Sequence, residues 1–397
     1  MHFVALIAGL MCCSSVALDA FQTIILPRRP TGRVRITSFF VGATWRPLRA
    51  VAGRVKSAKT REQLYSIYGP LSLLMLLGLW AVLLILGFAM FFYSLGSPYT
   101  DALEHATRLG RFTTDLYVSG TTLFTLGLGD VVPRTLPVRA LIVLESGVGL
   151  GLVALVIGYL PVLYQAFSRR EVSVALLDAR GGSPPTATEL LRRHAFDGGQ
   201  EAMVALLEEW ERWSAEILES HISYPILCYY RSQHDNQSWL SAMVSILDAC
   251  ALLISIVEGK PARQAQLTFA IARHALIDLG HVFHLEEATR TRAAAAECMD
   301  RLPPAEFKRL CEVLGELSLK MCGDSEGGKR LQALRELYEP QAWVLSEYLR
   351  MPMPTWIPEP NAKDQWRTIS RLRNEAEAVL KVKHLSEEAL TSHRDGH

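Results

Sequence analysis

Apolar residues cluster at the front of the chain. Three stretches, Phe3–Leu26, Leu71–Leu95 and Val138–Phe167, are each long enough to cross a bilayer, which takes about 20 apolar residues. A shorter apolar stretch, 115–128, lies between the last two. It is too short to cross, and predicts a re-entrant helix followed by an extended return, which lipid tolerates only inside protein or beside water. Beyond residue 185 the spacing is helical throughout. It predicts helices over 186–194, 199–221, 237–258, 262–300, 304–322, 327–350 and 364–382, with Thr186 and Thr188 as caps for the first. Residues 171–185, ending in a Gly-Gly-Ser-Pro-Pro run, read as a linker. The expected fold class is all-α: a membrane domain followed by a helical cytoplasmic domain. The expected segments are a span at 1–26, a basic cytoplasmic loop at 27–68, a pore-like module at 69–170, the linker at 171–185 and a helical domain at 186–397.

Charge gives the orientation. Segment 27–68 carries Arg28, Arg29, Arg33, Arg35, Arg46, Arg49, Arg54, Lys56, Lys59 and Arg61 against one acid, Glu62. Basic residues beside spans stay in the cytoplasm. The N-terminus and the 96–137 loop are therefore expected outside, and Arg169, Arg170 and everything after them inside. Residues 15–20 loosely resemble a signal-peptidase site, but no Lys or Arg precedes the apolar run, which favours a retained span. Asp19 within it is costly and should face protein or the water at the cytoplasmic end. The aromatic and basic run 38–49 suits either the inner membrane surface or a plain linker. Segment 238–257 is apolar enough to pass for a fourth span, but Asp248 near its middle points to a core helix. The whole chain is nearly neutral, with 41 Lys+Arg against 40 Asp+Glu, and its seven cysteines form no CxxC pair. A zinc ribbon, a disulfide framework and a nucleic-acid surface are therefore not indicated.

Thr122, Thr125, Gly127, Gly129 and Asp130 form a TxxTxGxGD string between the second and third spans. Glycines at alternate positions permit dihedrals that let a chain turn its carbonyls to one side. A ring of such carbonyls replaces the hydration shell of an alkali cation. Residues 69–170, about a quarter of the chain, resemble the pore module of the potassium channel family. The resemblance implies that the Thr125 hydroxyl and the carbonyls of Thr125, Leu126, Gly127, Leu128 and Gly129 form stacked K+ sites. With one loop per chain, it implies a homotetramer in membrane lipid, with K+ as permeant ion and no cofactor. Where the family most often has Tyr, this chain has Leu128, and the position that would tether that Tyr is Val118. A Leu–Val contact is expected to fill the space, and strict K+ over Na+ selectivity is in question. Asp130 is expected at the outer mouth, within reach of the Tyr117 hydroxyl.

On the inner helix, Gly149 stands where the family has a hinge glycine, with close helix packing as the equal alternative. Pro161 predicts a kink near the cytoplasmic end. Ile157, Leu160 and Tyr164 are candidates for a narrow inner mouth that gates by dewetting. Glu145, the one acid deep in this helix, is expected to bond the pore helix at Thr121 or Thr122, or to pair with Arg139. No ladder of arginines marks a voltage sensor.

The helical domain carries neither a GxGxxG after a strand nor the strands of a cyclic-nucleotide module, so its ligand or protein partner stays open. His274, Asp278 and His281 share one helix face at i, i+4, i+7, a spacing that suits a divalent metal or a pH sensor. The ordinary alternative is a half-buried amphipathic face. The expected function is passive K+ conduction through a four-fold pore in a bacterial inner membrane. A weakly selective cation channel is the alternative. A transporter subunit with a pore-like loop, or a membrane-anchored sensor or enzyme working through its helical domain, ranks lower, since no nucleophile–base pair or phosphate loop is visible.

Overall fold

A computed structural model describes residues 2–26, 35–101, 110–196, 198–233, 237–256, 260–294, 300–316 and 325–359. The helix expected over 364–382 lies outside the described residues. The described residues are mostly helical, in keeping with the apolar spans and 3.6-residue periodicity. It divides into two compact units: one comprises Met1–Arg170, Ala215–Asp235 and Asp278–Leu285, the other Glu171–Ser214, Asn236–Ile277 and Glu286–His397.

The first unit opens with α1 (His2–Ala20), continued by a π-helical turn over Phe21–Ile25, then α2 (Ile36–Ala52) and α3 (Ala58–Ser94). A short strand β1 (Tyr99–Asp101) pairs antiparallel with β2 (Val131–Pro133), and between them lies α4 (Arg111–Leu123). After β2 comes α5 (Leu136–Gly181), 46 residues in one helix. At 1.5 Å per residue α5 is about 69 Å long, more than twice the hydrocarbon thickness. Among the described residues, three helices are long and apolar enough to cross a membrane: His2–Ile25, Ala58–Ser94 and Leu136–Gly181.

Small residues let α1 lie against α3. A Cβ on Gly9 would sit 2.7 Å from the Gly87 carbonyl oxygen, and one on Gly87 would sit 2.5 Å from Cys13 Sγ. Such close crossings supply the packing that lipid does not drive. At the far end of α1, Asp19 is 4% exposed and has no need of water. Its carboxylate accepts from Trp80 Nε1 at 3.0 Å, from the Thr37 amide at 3.1 Å and from the Thr37 hydroxyl at 2.6 Å. Thr37 N–H belongs to the first turn of α2, so Asp19 satisfies a helix terminus from outside the helix.

Two expected boundaries move. Segment 27–68 is not a simple loop: α2 occupies Ile36–Ala52, and α3 begins at Ala58, where Ser57 Oγ accepts from the Thr60 amide. The linker expected over 171–185 is largely helix, because α5 runs on to Gly181 and turns only at Gly182, whose φ is +90°. Nothing before Gly181 breaks it, and Leu177 and Asp178 are buried.

The second unit is built on α8 (Trp239–Ile256), with α6 (Ala187–Arg193), α7 (Gly199–Ser223), α9 (Lys260–Val282), α10 (Glu286–Ala294), α11 (Pro304–Glu316), α12 (Ser325–Glu336) and α13 (Glu339–Leu349) following the chain order; α7 and α9 each end in the first unit. The single helix expected over 262–300 breaks after Val282, where His284 takes a φ of +55°. The one expected over 327–350 breaks at Tyr338. α8 is a core helix, as Asp248 implied: it is buried along nearly its whole length. Asp248 accepts from Arg301 Nη1 at 3.0 Å and Nη2 at 2.6 Å and from the Tyr338 hydroxyl. Arg301 also bonds Glu339 at 2.7 Å, and Arg335 joins the same Glu339 and Asp300. Burial pushes the Asp248 carboxyl up, with Arg301 pulling it back.

Candidate ion-conduction site

The string that stood out in the sequence is the non-helical passage between α4 and β2. At the end of α4 the Phe124 N–H keeps the regular helical bond to the Gly120 carbonyl, and the pattern then breaks, with Thr125 N–H reaching Thr122 and Leu126 N–H reaching Thr121. Then φ is positive at every second residue: +55° at Thr125, +55° at Gly127 and +77° at Gly129. In an extended strand successive carbonyls alternate in direction. Positive φ at alternate residues turns every second peptide plane over and brings successive carbonyl oxygens to one side. Glycine takes this conformation without penalty, which explains Gly127 and Gly129. Thr125 takes it against the preference of a β-branched residue, at a cost of about 1–3 kcal/mol.

In the protomer this passage is open. Nothing lies within 4 Å of a Cβ built on Gly127 or Gly129. Leu126 and Leu128 are more than 60% exposed. Val118 is buried in the core formed by Leu84, Phe88 and Phe92 of α3. The tether of the passage lies one step further on: the Tyr117 hydroxyl donates to Asp130 Oδ2 at 2.6 Å, while Asp130 Oδ1 accepts from the Val131 amide.

Behind the passage, α4 is held by both long helices. Ser119 and Glu145 are both fully buried. Ser119 Oγ contacts Glu145 Oε1 from α5 and the Ile85 carbonyl of α3 at 3.0 Å. The partner of Glu145 is thus on α4, as expected, but at Ser119, two residues before Thr121. Thr121 turns its hydroxyl onto its own helix at the Tyr117 and Val118 carbonyls, and Arg139 Nε donates to the Pro133 carbonyl. Among the described residues this joint is completed by Gly149. A Cβ there would stand 2.0 Å from the Leu123 carbonyl oxygen and 2.9 Å from its carbon. Gly149 therefore lets the inner helix touch the end of the pore helix. α5 passes through both Gly149 and Pro161 as one continuous helix. Ile157, Leu160 and Tyr164 all lie on exposed surface of α5.

His274, Asp278 and His281 all lie on α9. His281 Nδ1 lies 3.6 Å from Asp278 Oδ1. Among the described residues, no group of three or more His, Cys, Asp or Glu side chains gathers to hold a metal ion. The spacing reflects an amphipathic face, with Asp278 buried and His281 largely exposed.

Two features were not legible beforehand. Ser119 reads as an ordinary small polar residue in a pore helix, and only burial against Glu145 identifies it. Arg170 reads as an exposed cytoplasmic anchor but is 2% exposed and makes several bonds.

Residues 79–165, which run from within α3 to within α5 and include the passage between them, match the family described as "Ion channel", so this stretch is similar to an ion-channel pore module. The chain is also 23% identical over 287 residues to the uncharacterized membrane protein YdjJ of Bacillus subtilis (strain 168), covering 71% of this chain and 80% of that protein. That likeness is too long to be confined to the pore module. No solved structure matches the chain.

Proposed function

We propose that the protein is a potassium-selective channel in which four copies surround one axis, each lending residues 125–129 to a ring of carbonyl oxygens. The observation that carries this reading is the alternation of positive φ at Thr125, Gly127 and Gly129 in a passage left open within the protomer. Such oxygens need partners from other copies to enclose an ion, because one strand supplies only one side of its coordination shell. The Thr125 hydroxyl forms the innermost site, and Asp130 raises the local cation concentration at the mouth. α4 ends behind the passage, so the negative end of its dipole favours a cation beneath it. Ile157, Leu160 and Tyr164 line the inner entry. The N-terminus faces outward and the helical domain lies in the cytoplasm, as the basic residues of 35–61 require.

A weakly selective cation channel is the second reading. Leu128, exposed and without a polar tether to α4, favours it. A filter free to breathe distinguishes K+ from Na+ poorly.

Flux from proteoliposomes loaded with K+ or Na+ separates the readings. The first expects K+ efflux at least tenfold over Na+, abolished by Gly127→Ala in protein that still inserts. Comparable K+ and Na+ rates favour the second, and full flux through Gly127→Ala refutes both.

A further inference from the structure

The stretch that follows α7 is a 3₁₀ turn, Pro225–Tyr229, flanked by Tyr224 on one side and Tyr230 and Arg231 on the other. It belongs to the first unit, and it grips both long pore helices at once. On α5, the Arg170 guanidinium donates to the Leu227 carbonyl at 2.9 Å and to the Tyr230 carbonyl at 2.8 Å, and it lies over the Phe167 ring. Tyr159 stacks edge-on against Tyr224, and Leu227 is buried with Tyr159, Leu163 and Leu73. On α3, Arg231 pairs with Glu62 at 3.4 Å and lies over Tyr65. The Tyr230 ring fills the space at Gly69, where a Cβ would meet it at 2.6 Å. Tyr229 closes the group against Trp45 of α2 and Tyr68 of α3.

We propose that residues 224–231 form a clamp that fixes the cytoplasmic half of the inner helix against the outer helix, and that Arg170 is its positioning residue, through which the helical region joined to both ends of the clamp controls conduction. The proposal rests on the channel reading above. Its geometry gives the means. Tyr159, Leu163, Phe167 and Arg170 recur at i, i+4, i+8 and i+11, so they share one face of α5. Ile157, Leu160 and Tyr164 share another. Holding the first face sets the rotation of the helix and so decides what the second presents to the pore. A planar fork that bonds two carbonyls at once specifies that rotation, which a single ammonium does not. The clamp follows directly on α7, so a shift of that helix reaches α5 through packed side chains.

The test uses the full-length protein with Arg170→Gln, Arg170→Lys and Tyr230→Ala, and the double variant Arg170→Gln/Tyr230→Ala. Two readouts are taken: hydrogen exchange of the peptide covering 224–231, which needs no conduction, and K+ flux in proteoliposomes. Exchange of that peptide is expected to rise at least tenfold in Arg170→Gln, with Arg170→Lys close behind it. Flux is expected to change by more than threefold in the single variants and no further in the double variant, while the K+/Na+ ratio stays at the wild-type value. Unchanged exchange shows that the clamp does not hold, and raised exchange with wild-type flux shows that it does not control the pore; either result overturns the proposal. If the wild-type protein carries no ion at all, it is the channel reading that fails.

Discussion

Replacing Gly149 by alanine puts two physical accounts of the inner helix in direct opposition. If Gly149 served only as a flexible point, alanine would stiffen the helix and add about 1 kcal/mol of helical stability. In the structure the added Cβ lands 2.0 Å from the Leu123 carbonyl oxygen. Ordinary contact requires a separation larger by more than about 1 Å. Neither partner can yield by rotating a side chain, because both are backbone. The pore helix must therefore slide on the inner helix, and overpacking of this kind costs about 1–3 kcal/mol. Net destabilisation of up to about 2 kcal/mol is expected after the propensity gain is subtracted. The displaced element is followed within two residues by Thr125, so flux should fall along with stability. Thermal unfolding of detergent-purified protein, followed by tryptophan fluorescence and read beside K+ flux, measures both. Gly147→Ala is the control, since a Cβ there meets nothing within 4 Å in the protomer, and it should be neutral or stabilising. A Gly149→Ala protein that is more stable than wild type and conducts fully would refute the packing account.

Three further outcomes follow from buried polar groups. Ser119 has one hydroxyl proton and two acceptors, Glu145 and the Ile85 carbonyl, so a neutral amide at 145 can donate to Ser119 and keep both contacts. Glu145→Gln should then keep most of the flux while Glu145→Ala, which strands the Ser119 joint, loses at least tenfold in the same efflux assay. His221 is buried beside Arg170, whose Nη1 lies 3.3 Å from its Nε2, and burial with that neighbouring charge holds its pKa well below the usual value. The folded protein thus keeps His221 neutral, whereas the unfolded chain takes up a proton below about pH 6.5. Its contribution to stability is complete above that pH and declines as pH falls; chemical denaturation from pH 7.5 to 5 should show a steeper loss in wild type than in His221→Gln. Arg301→Ala leaves Asp248 buried without its cation and should destabilise the second unit by about 3–5 kcal/mol, seen as a lowered unfolding transition; Asp248→Asn/Arg301→Met should recover part of that loss.

The pore passage was legible from sequence because its chemistry is local. Two glycines at alternate positions, a threonine before them and an acid after them each answer to a dihedral or a ligand atom within five residues. The three spans were legible because hydrocarbon sets their length. The 171–181 continuation of α5 was not, since the Gly-Gly-Ser-Pro-Pro run marks where the helix stops and gives no sign of where it began to be something else. The histidine face left its alternatives open for a related reason. Periodicity places His274, Asp278 and His281 on one side of a helix, but only packing decides whether their side chains converge, and Asp278 turned inward while His281 stayed largely exposed.

The amino-acid sequence alone determined which three stretches are long and apolar enough to cross a membrane, and where backbone leaves the helix to turn its carbonyls over. Those follow from transfer free energy and from dihedral preference, which act on residues close together in the chain. Tertiary structure alone decided that Glu145 meets Ser119, that Gly149 yields its place to the Leu123 carbonyl, and that Arg170 is buried under residues 227–230 instead of standing in water. Each of these depends on which faces meet when helices far apart in sequence pack, and the apolar patterns of the separate helices are compatible with many such meetings.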